Sequence, residues 1–351
     1  MNTGNQKSIL ALDIGYGNTK AVWRQPKSGD STWGEICFRS VAPRVIVDVG
    51  TSLTSLDRVI VNVGTESFYV GPKATLEGGM RELHPDYINT VTHQALPCGA
   101  WHYMFRQIGE VTKSVDLLVL GLPVSGFQTN RRRLAELGKK VHRIPVPAEL
   151  RARYGREYED VVAKNVLILP QPMGSMRVAS VQEQKFDLFE DGLISVVIDI
   201  GYNHNTVDWF VTEGMVPQFE TCGSFSGGFS QILMAVSKKI SFDHGLGAQN
   251  FGQIEKGLSS GWMNLGFKKI NMEAYKITAR QVAENAISDL LQQFDPQRAG
   301  VTKIFLAGGG ASDYKDALHA RLPDQSISLM DEPVMANARG FYLSGLDYFN
   351  D

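Results

Sequence analysis

The chain has 351 residues, enough for two domains with separate cores, and its 43% hydrophobic and 21% charged residues are ordinary for a globular protein. Its 35 basic and 37 acidic residues leave a formal net charge of −2, which removes any global electrostatic case for binding nucleic acid or acidic lipid. No apolar run approaches the ~20 residues that span a bilayer, and polar residues 1–8 lead straight into an apolar run, so no signal peptide is expected and the chain reads as cytoplasmic.

The first predicted element is a hairpin. The run Ile9-Leu10-Ala11-Leu12 ends in Asp13-Ile14-Gly15-Tyr16-Gly17-Asn18-Thr19, and Ala21-Val22-Trp23 continues as a second strand. Glycines let a backbone approach a phosphate, and successive turn amides form an anion-binding concavity. An aspartate at the strand end repels phosphate directly but suits a hydrated Mg²⁺ that bridges phosphates. Taken alone, such a turn is equally well an ordinary tight turn whose Asp satisfies nearby amides. Lys20 reads either as a phosphate ligand or as a solvent-facing lysine on the strand.

Residues 32–40 and 58–71 look like strands, the latter a hairpin joining the first in one mixed sheet. Residues 78–98 show no period and are expected to be an irregular insertion, followed by a helix over 100–111 and a buried strand over 115–120. A helix over 129–141 carries Arg131, Arg132, Arg133, Lys139 and Lys140, best read as a solvated face. The charged stretch 150–160 reads as a surface connection; then Val166-Leu167-Ile168-Leu169 forms a strand ending in Pro170-Gln171, and a helix runs to about 184. Cys37, Cys98 and Cys222 are too few, too scattered and odd in number for a disulfide framework. Cys98 and His102, four apart on a helix, lack the second pair that a structural metal site needs, so a buried thiol beside a half-buried histidine is the preferred reading.

After a polar passage at 185–192 the opening motif returns. The apolar run 194–198 ends in Asp199-Ile200-Gly201-Tyr202-Asn203-His204-Asn205-Thr206, one residue longer before its Asn-Thr pair, and Val207-Asp208-Trp209-Phe210 follows as a strand. Two near-copies argue for a chain of two related halves with ligand between them. Strands are expected at 193–200, 205–212 and 215–221, and Gly227-Gly228 opens a helix over 229–240. Residues 241–270 are mixed, and 272–294 give the longest helical pattern. A strand over 301–306 runs into Gly308-Gly309-Gly310, which costs chain entropy and is read as a floor for a flat ligand such as a nucleoside. A helix from Val334-Met335-Ala336-Asn337-Ala338-Arg339-Gly340 closes the chain; no Walker-type loop occurs.

Two Asp-Ile-Gly-Tyr turns, the Pro170-Gln171 strand end between them, the triple glycine and the Ala-x-Ala-x-Gly helix stand in the order phosphate 1, connect 1, phosphate 2, adenosine, connect 2. Over nearly its whole length the chain resembles the actin-like ATPase superfamily, and within it the bacterial plasmid-segregation actins of the ParM/StbA kind, including the actin-like component of PRTRC-type plasmid systems. The resemblance implies an α/β fold of two related ribonuclease H-like domains around a nucleotide cleft. Domain I would span 1–185, closed by helix 335–351, and domain II 186–334 with a helical insertion at about 228–300.

It further implies ATP and Mg²⁺ as cofactors. Asp13 and Asp199 would position the metal and its waters, with Asp199 and Gln171 orienting the attacking water. Gly15, Tyr16, Gly17, Asn18, Thr19 and Lys20, with Gly201, Tyr202, Asn203, Asn205 and Thr206, would hold the phosphates. Gly227 and Gly228 would lie near the ribose, Gly308, Gly309 and Gly310 under the adenine, and Glu255 and Lys256 beside the base. The implied activity is slow ATP hydrolysis coupled to head-to-tail polymerisation, for plasmid segregation through a DNA-binding adaptor protein, with no direct nucleic-acid contact and no membrane. A small-molecule kinase of the same fold, or a non-hydrolysing ATP-bound adaptor, are the rival expectations.

Overall fold

The computed structural model describes residues 6–25, 33–45, 57–74, 86–182, 192–202 and 207–350. The described residues of Met1–Leu76, Leu83–Val178 and Asn337–Asp351 form one unit, and those of Ala179–Ala336 the other.

In the first unit, β1 (Ile9–Ile14), β2 (Asn18–Arg24) and β3 (Trp33–Arg39) pair antiparallel, with Leu12 opposite Ala21 and Val22 opposite Glu35. The sheet continues through β6 (Ser114–Leu122) and β8 (Tyr158–Pro170), both parallel to β1, and ends at β7 (His142–Pro145), giving the order β3-β2-β1-β6-β8-β7. Strands buried on both faces read as continuous apolar runs, and Leu117, Leu118, Val119 and Leu120 are all buried. The hairpin of β4 (Val59–Val63) and β5 (Glu66–Val70) stands apart as a two-stranded sheet, so it does not join the first hairpin as expected.

Helix α1 (Val91–Ile108) corrects the irregular segment expected up to residue 98. Thr90 caps it by accepting the His93 amide, and Gly109, at φ 69°, ends it in the left-handed region. Pro97 and Gly99 hide the helix from a pattern search, yet Ala95, Leu96, Trp101 and Phe105 are fully buried in it. Next, α2 (Val124–Gly138) starts five residues before its expected position, and its Arg131, Arg132 and Arg133 are exposed. The charged stretch 150–160 is no simple connection: α3 (Ala148–Tyr154) and the start of β8 occupy it.

Helix α4 (Gln171–Gln182) crosses the closing helix α9 (Ala336–Asp347) at two glycines. A Cβ on Gly340 would lie 1.7 Å from the Gly174 carbonyl oxygen, and one on Gly174 would lie 2.3 Å from that of Asn337. Ser175 donates to Asn337 Oδ1 at 2.6 Å beside this crossing, and Arg177 forks onto Asp347. Arg339 forks onto Glu35 at 2.7 and 2.9 Å, and this hydrogen-bonded ion pair holds the Glu35 carboxyl below the usual range.

The second unit repeats the plan. Strands β9 (Ile194–Ile200) and β10 (Val207–Glu213) pair antiparallel, and β11 (Val216–Pro217) and β12 (Gly223–Phe225) lie beside β10 in place of one strand over 215–221. Parallel β15 (Lys303–Ala307) and β16 (Ser326–Leu329) complete the order β11-β10-β9-β15-β16. Helices α5 (Phe229–His244), α6 (Phe251–Ser260), α7 (Glu273–Gln293) and α8 (Ala311–Arg321), with the hairpin β13 (Trp262–Leu265) and β14 (Lys268–Asn271), make up the rest. The core of this unit joins Ile198 and Ile200 to Ile232, Leu233, Ile287 and Tyr314, all fully buried.

Candidate functional site

In the first unit the hairpin turn closes by the Gly15 amide donating to the Asn18 carbonyl at 3.1 Å. Asp13, 1% exposed, stands opposite Lys20 in the β1–β2 register. Lys20 Nζ meets Asp13 Oδ2 at 2.8 Å, so the partly buried lysine turns to the acid rather than straight out to solvent. The other oxygen, Oδ1, accepts from Gln171 Nε2 at 2.6 Å. Gln171 gets there because β8 ends at Pro170 and α4 starts with the glutamine itself. Gly121 on the neighbouring β6 leaves room for it, since a Cβ there would sit 3.0 Å from Gln171 Cγ. A buried carboxylate thus takes one donor on each oxygen.

The remaining residues of this turn divide by role. Thr19 is fully buried and shares its hydroxyl with Ser40 at 2.9 Å, so its side chain faces the sheet. Gly17 offers its carbonyl to the Ser40 amide at 3.0 Å. Tyr16 stacks on Tyr87 at 4.3 Å between ring centres; burial, then the Asp86 charge, raises the pKa of its hydroxyl. The Lys20 amine lies 3.4 Å from where a Cβ of Gly15 would be, so the turn and the ion pair form one cluster.

In the second unit Asp199 ends β9 as Asp13 ends β1, but its cross-strand partner is Asp208. Ser224, next across on β12, donates its hydroxyl to Asp208 Oδ1. Both carboxylates are buried, and residues opposite one another on a strand pair place their Cβ atoms about 5 Å apart. Asp208 escaped the sequence reading. The available signal was its place on the strand after the second turn, where Lys20 stands after the first.

The turn after Asp199 is tied to α5: Gly201 and Tyr202 carbonyls accept the Phe229 and Ser230 amides at 3.0 and 2.8 Å, and the Tyr202 ring lies 5.9 Å from that of Phe229. Those first helical amides are therefore committed within the protein. Asn203, Asn205 and Thr206 lie outside the described residues.

The glycines have packing reasons that the sequence reading did not foresee. A Cβ on Gly308, whose φ is +88°, would lie 2.3 Å from Asp199 Oδ1 and 2.5 Å from the Ile200 carbonyl; one on Gly310 would lie 2.7 Å from Ile200 Cγ2. Only Gly309 of the three opens onto free space. Gly227 leaves room for the Phe225 ring and gives its carbonyl to the Tyr314 hydroxyl at 2.6 Å, while Gly228 caps α5 in an extended conformation. Glu255 on α6 comes near Asp313 in the first turn of α8; burial, then the Glu255 charge, raises the Asp313 pKa. Lys256 is exposed.

Asp13, Gly15, Lys20 and Gln171 are thus one cluster, and Asp199, Gly201, Asp208 and Gly308 another, each within its own unit. The chemistry of the second suits a hard cation, with two oxygen-bearing acids side by side. Cys98 and His102 do not pair on a metal: the thiol turns to the Gln94 carbonyl, and the ring meets the Pro145 carbonyl at 2.8 Å. Among the described residues no group of three or more His, Cys, Asp or Glu could hold a metal, and no helix is long and apolar enough to cross a membrane.

A sheet of antiparallel hairpin plus parallel strands, built twice, with an acid and a glycine turn at each hairpin, defines the class: an actin-like two-domain α/β protein. Residues 11–174 match the family model described as actin like proteins N terminal domain, and residues 197–320 that of the archaeal actin homologue MreB-like, C-terminal. The chain belongs to the actin-like superfamily. Similar solved structures include the archaeal actin homolog Ta0583, at 19% identity and TM-score 0.75, with 97% of this chain and 99% of that one covered. A non-polymerisable pCBH ParM mutant is 18% identical at TM-score 0.73, covering 97% and 100%. A 15-stranded ParM filament from Clostridium botulinum is 18% identical at TM-score 0.74, covering 97% and 99%. A comparison with curated protein sequences finds no match.

Proposed function

We propose that the chain is a cytoplasmic, filament-forming ATPase that holds one magnesium nucleotide with the Asp13 cluster of one unit and the Asp199 cluster of the other. The observation that carries this reading is the repeated hairpin, each copy ending a buried strand in an acid next to a glycine turn. A solved structure of the archaeal actin homolog Ta0583 is in complex with ADP, and the ParM relative is a filament, which supports both halves of the reading.

The residues fit the two cofactors unequally. Asp13 already takes a lysine and an amide, so it would meet a metal through that metal's waters. Asp199 and Asp208 together are the better seat for Mg²⁺, which when bound would offset phosphate charge. Lys20 stands over Gly15 as a positive charge for the phosphates of ATP. Gln171, whose Nε2 donates to Asp13, would orient a water through its amide oxygen but is a poor proton acceptor, so slow hydrolysis is expected. Loss of the γ-phosphate would remove a group that the Asp13 and Asp199 clusters would each contact, and subunit contacts would weaken with it. Head-to-tail contacts that do not close give filaments, which would move plasmid DNA through a DNA-binding adaptor protein.

Purified protein with Mg-ATP should scatter light and pellet, while protein with ADP, or Asp199→Ala with ATP, should not. Absence of assembly with ATP across a wide protein concentration would overturn the filament reading. ATP turnover that requires a metabolite would favour a kinase instead.

A further inference from the structure

The first unit contains a cavity of about 300 Å³ between α1, α2 and the sheet, with the turn of the β4–β5 hairpin at one side. It has room for about ten waters, in the size range of small-ligand sites. Its wall is apolar, with Leu118, Leu120 and Leu134 all buried. Beside the neutral Asn62, Gln94 and His142, its charged groups carry one sign. Lys140 and Arg143 line it and are exposed, and no aspartate or glutamate does. Arg143 lies over the Tyr158 ring at 4.8 Å, and among the described residues neither cation makes an ion pair.

Inside sits His93, 6% exposed, whose ring meets Tyr87 edge-on at 5.2 Å and makes no hydrogen bond among the described residues. Its ring is thus available to an occupant of the cavity. Burial lowers its pKa to about 4, so the ring is neutral near pH 7 and donates one N–H.

We propose that this cavity is a binding site for a small amphipathic carboxylate, its apolar body against Leu118, Leu120 and Leu134 and its charge met by Lys140 and Arg143. Two unpaired cations beside an apolar chamber without acids select an anion with a hydrocarbon body over a neutral compound or a cation. His93 gives the ligand its one buried donor. Ile14, which also lines the cavity, follows Asp13 in the chain, so an occupant would press on the base of the first hairpin. The inference is independent of the nucleotide reading, because no residue of the Asp13 or Asp199 clusters lines the cavity.

Calorimetric titration of the full chain with phenylbutyrate and with its neutral counterpart phenylbutanol tests this. The carboxylate should bind with a Kd below about 1 mM and about tenfold or more tighter than the alcohol. Lys140→Glu with Arg143→Glu, both exposed, should weaken the carboxylate about tenfold and leave the alcohol unchanged. Leu137→Trp, which fills the cavity from α2, should abolish both. The proposal is overturned if the carboxylate does not bind the folded protein, if the alcohol binds equally well, or if a folded Leu137→Trp keeps its affinity. Should Leu137→Trp not fold, the charge reversal decides: unchanged carboxylate affinity sinks the idea.

Discussion

Asp199 stands directly opposite Asp208 across β9 and β10, whereas Asp13, at the same place in the first hairpin, stands opposite Lys20 and is ion-paired with it at 2.8 Å. The two halves share a backbone plan but carry different charges at it. One hairpin neutralises its acid internally; the other sets two acids side by side, with the Ser224 hydroxyl on one of them. Like charges directly opposite on a strand pair repel, and a cation removes that repulsion.

Asp208→Asn should therefore raise the unfolding temperature in the presence of a chelator by about 2 °C, the effect of roughly 0.5–1 kcal/mol. The same change should shrink the stabilisation gained on adding Mg²⁺ with ATP. Paired melting curves with and without the metal check both; a variant that melts lower in chelator would show that Asp208 has no repulsion to relieve.

Lys20→Met removes the cation from a carboxylate that is 1% exposed. Leaving a buried charge with only Gln171 for company should cost about 2–3 kcal/mol, less than for a fully buried pair because Lys20 is 14% exposed. Urea unfolding would measure it, and Lys20→Arg should recover part of the loss.

Glycine substitutions separate packing from ligand contact. Gly340→Ala puts a methyl 1.7 Å from the Gly174 carbonyl oxygen, so α4 and α9 must part, at a cost of about 3 kcal/mol or more. Gly308→Ala should be comparably harmful, with Asp199 and Ile200 in the way and φ at +88°. Gly309→Ala, with nothing near, should change stability by less than about 0.5 kcal/mol. If a nucleoside covers this turn, Gly309→Ala will nonetheless weaken ATP binding.

His93 sets an acid limit. Its folded pKa, about 4, lies below the ordinary 6.5, so the unfolded chain binds the extra proton. The stabilisation from keeping it neutral is complete above pH 6.5 and is lost as pH falls toward 4, by about 3 kcal/mol in all. Burial depresses His102 and His142 as well, adding to the same slope. Unfolding free energies from pH 7 to 4 should fall steeply for the native chain and less so for His93→Phe.

Much of the architecture was legible in the linear chain, because strands, tight turns and the repeat at Asp13 and Asp199 are local patterns read one segment at a time. The run 115–120 announces β6, and the glycine-bounded Asp-Ile-Gly-Tyr turns announce both hairpins. Helix α1 was half lost because Pro97 and Gly99 break the pattern of a helix buried on several faces, where burial rather than periodicity holds the structure together.

Which atoms meet was another matter. Gln171 is 158 residues from Asp13, Arg339 is 304 from Glu35, and no local preference specifies either contact. Thr19 reads as a ligand hydroxyl until Ser40 takes it, and Gly308 and Gly310 read as a ligand floor until Ile200 and Asp199 are seen to need their space. Asp208 is one charged residue among many in the chain, and strand register alone puts it opposite Asp199. Local sequence chooses the elements through short-range sterics and hydrophobic period; only folding, by bringing distant side chains within hydrogen-bond reach and emptying the space between them of water, assigns those side chains their partners.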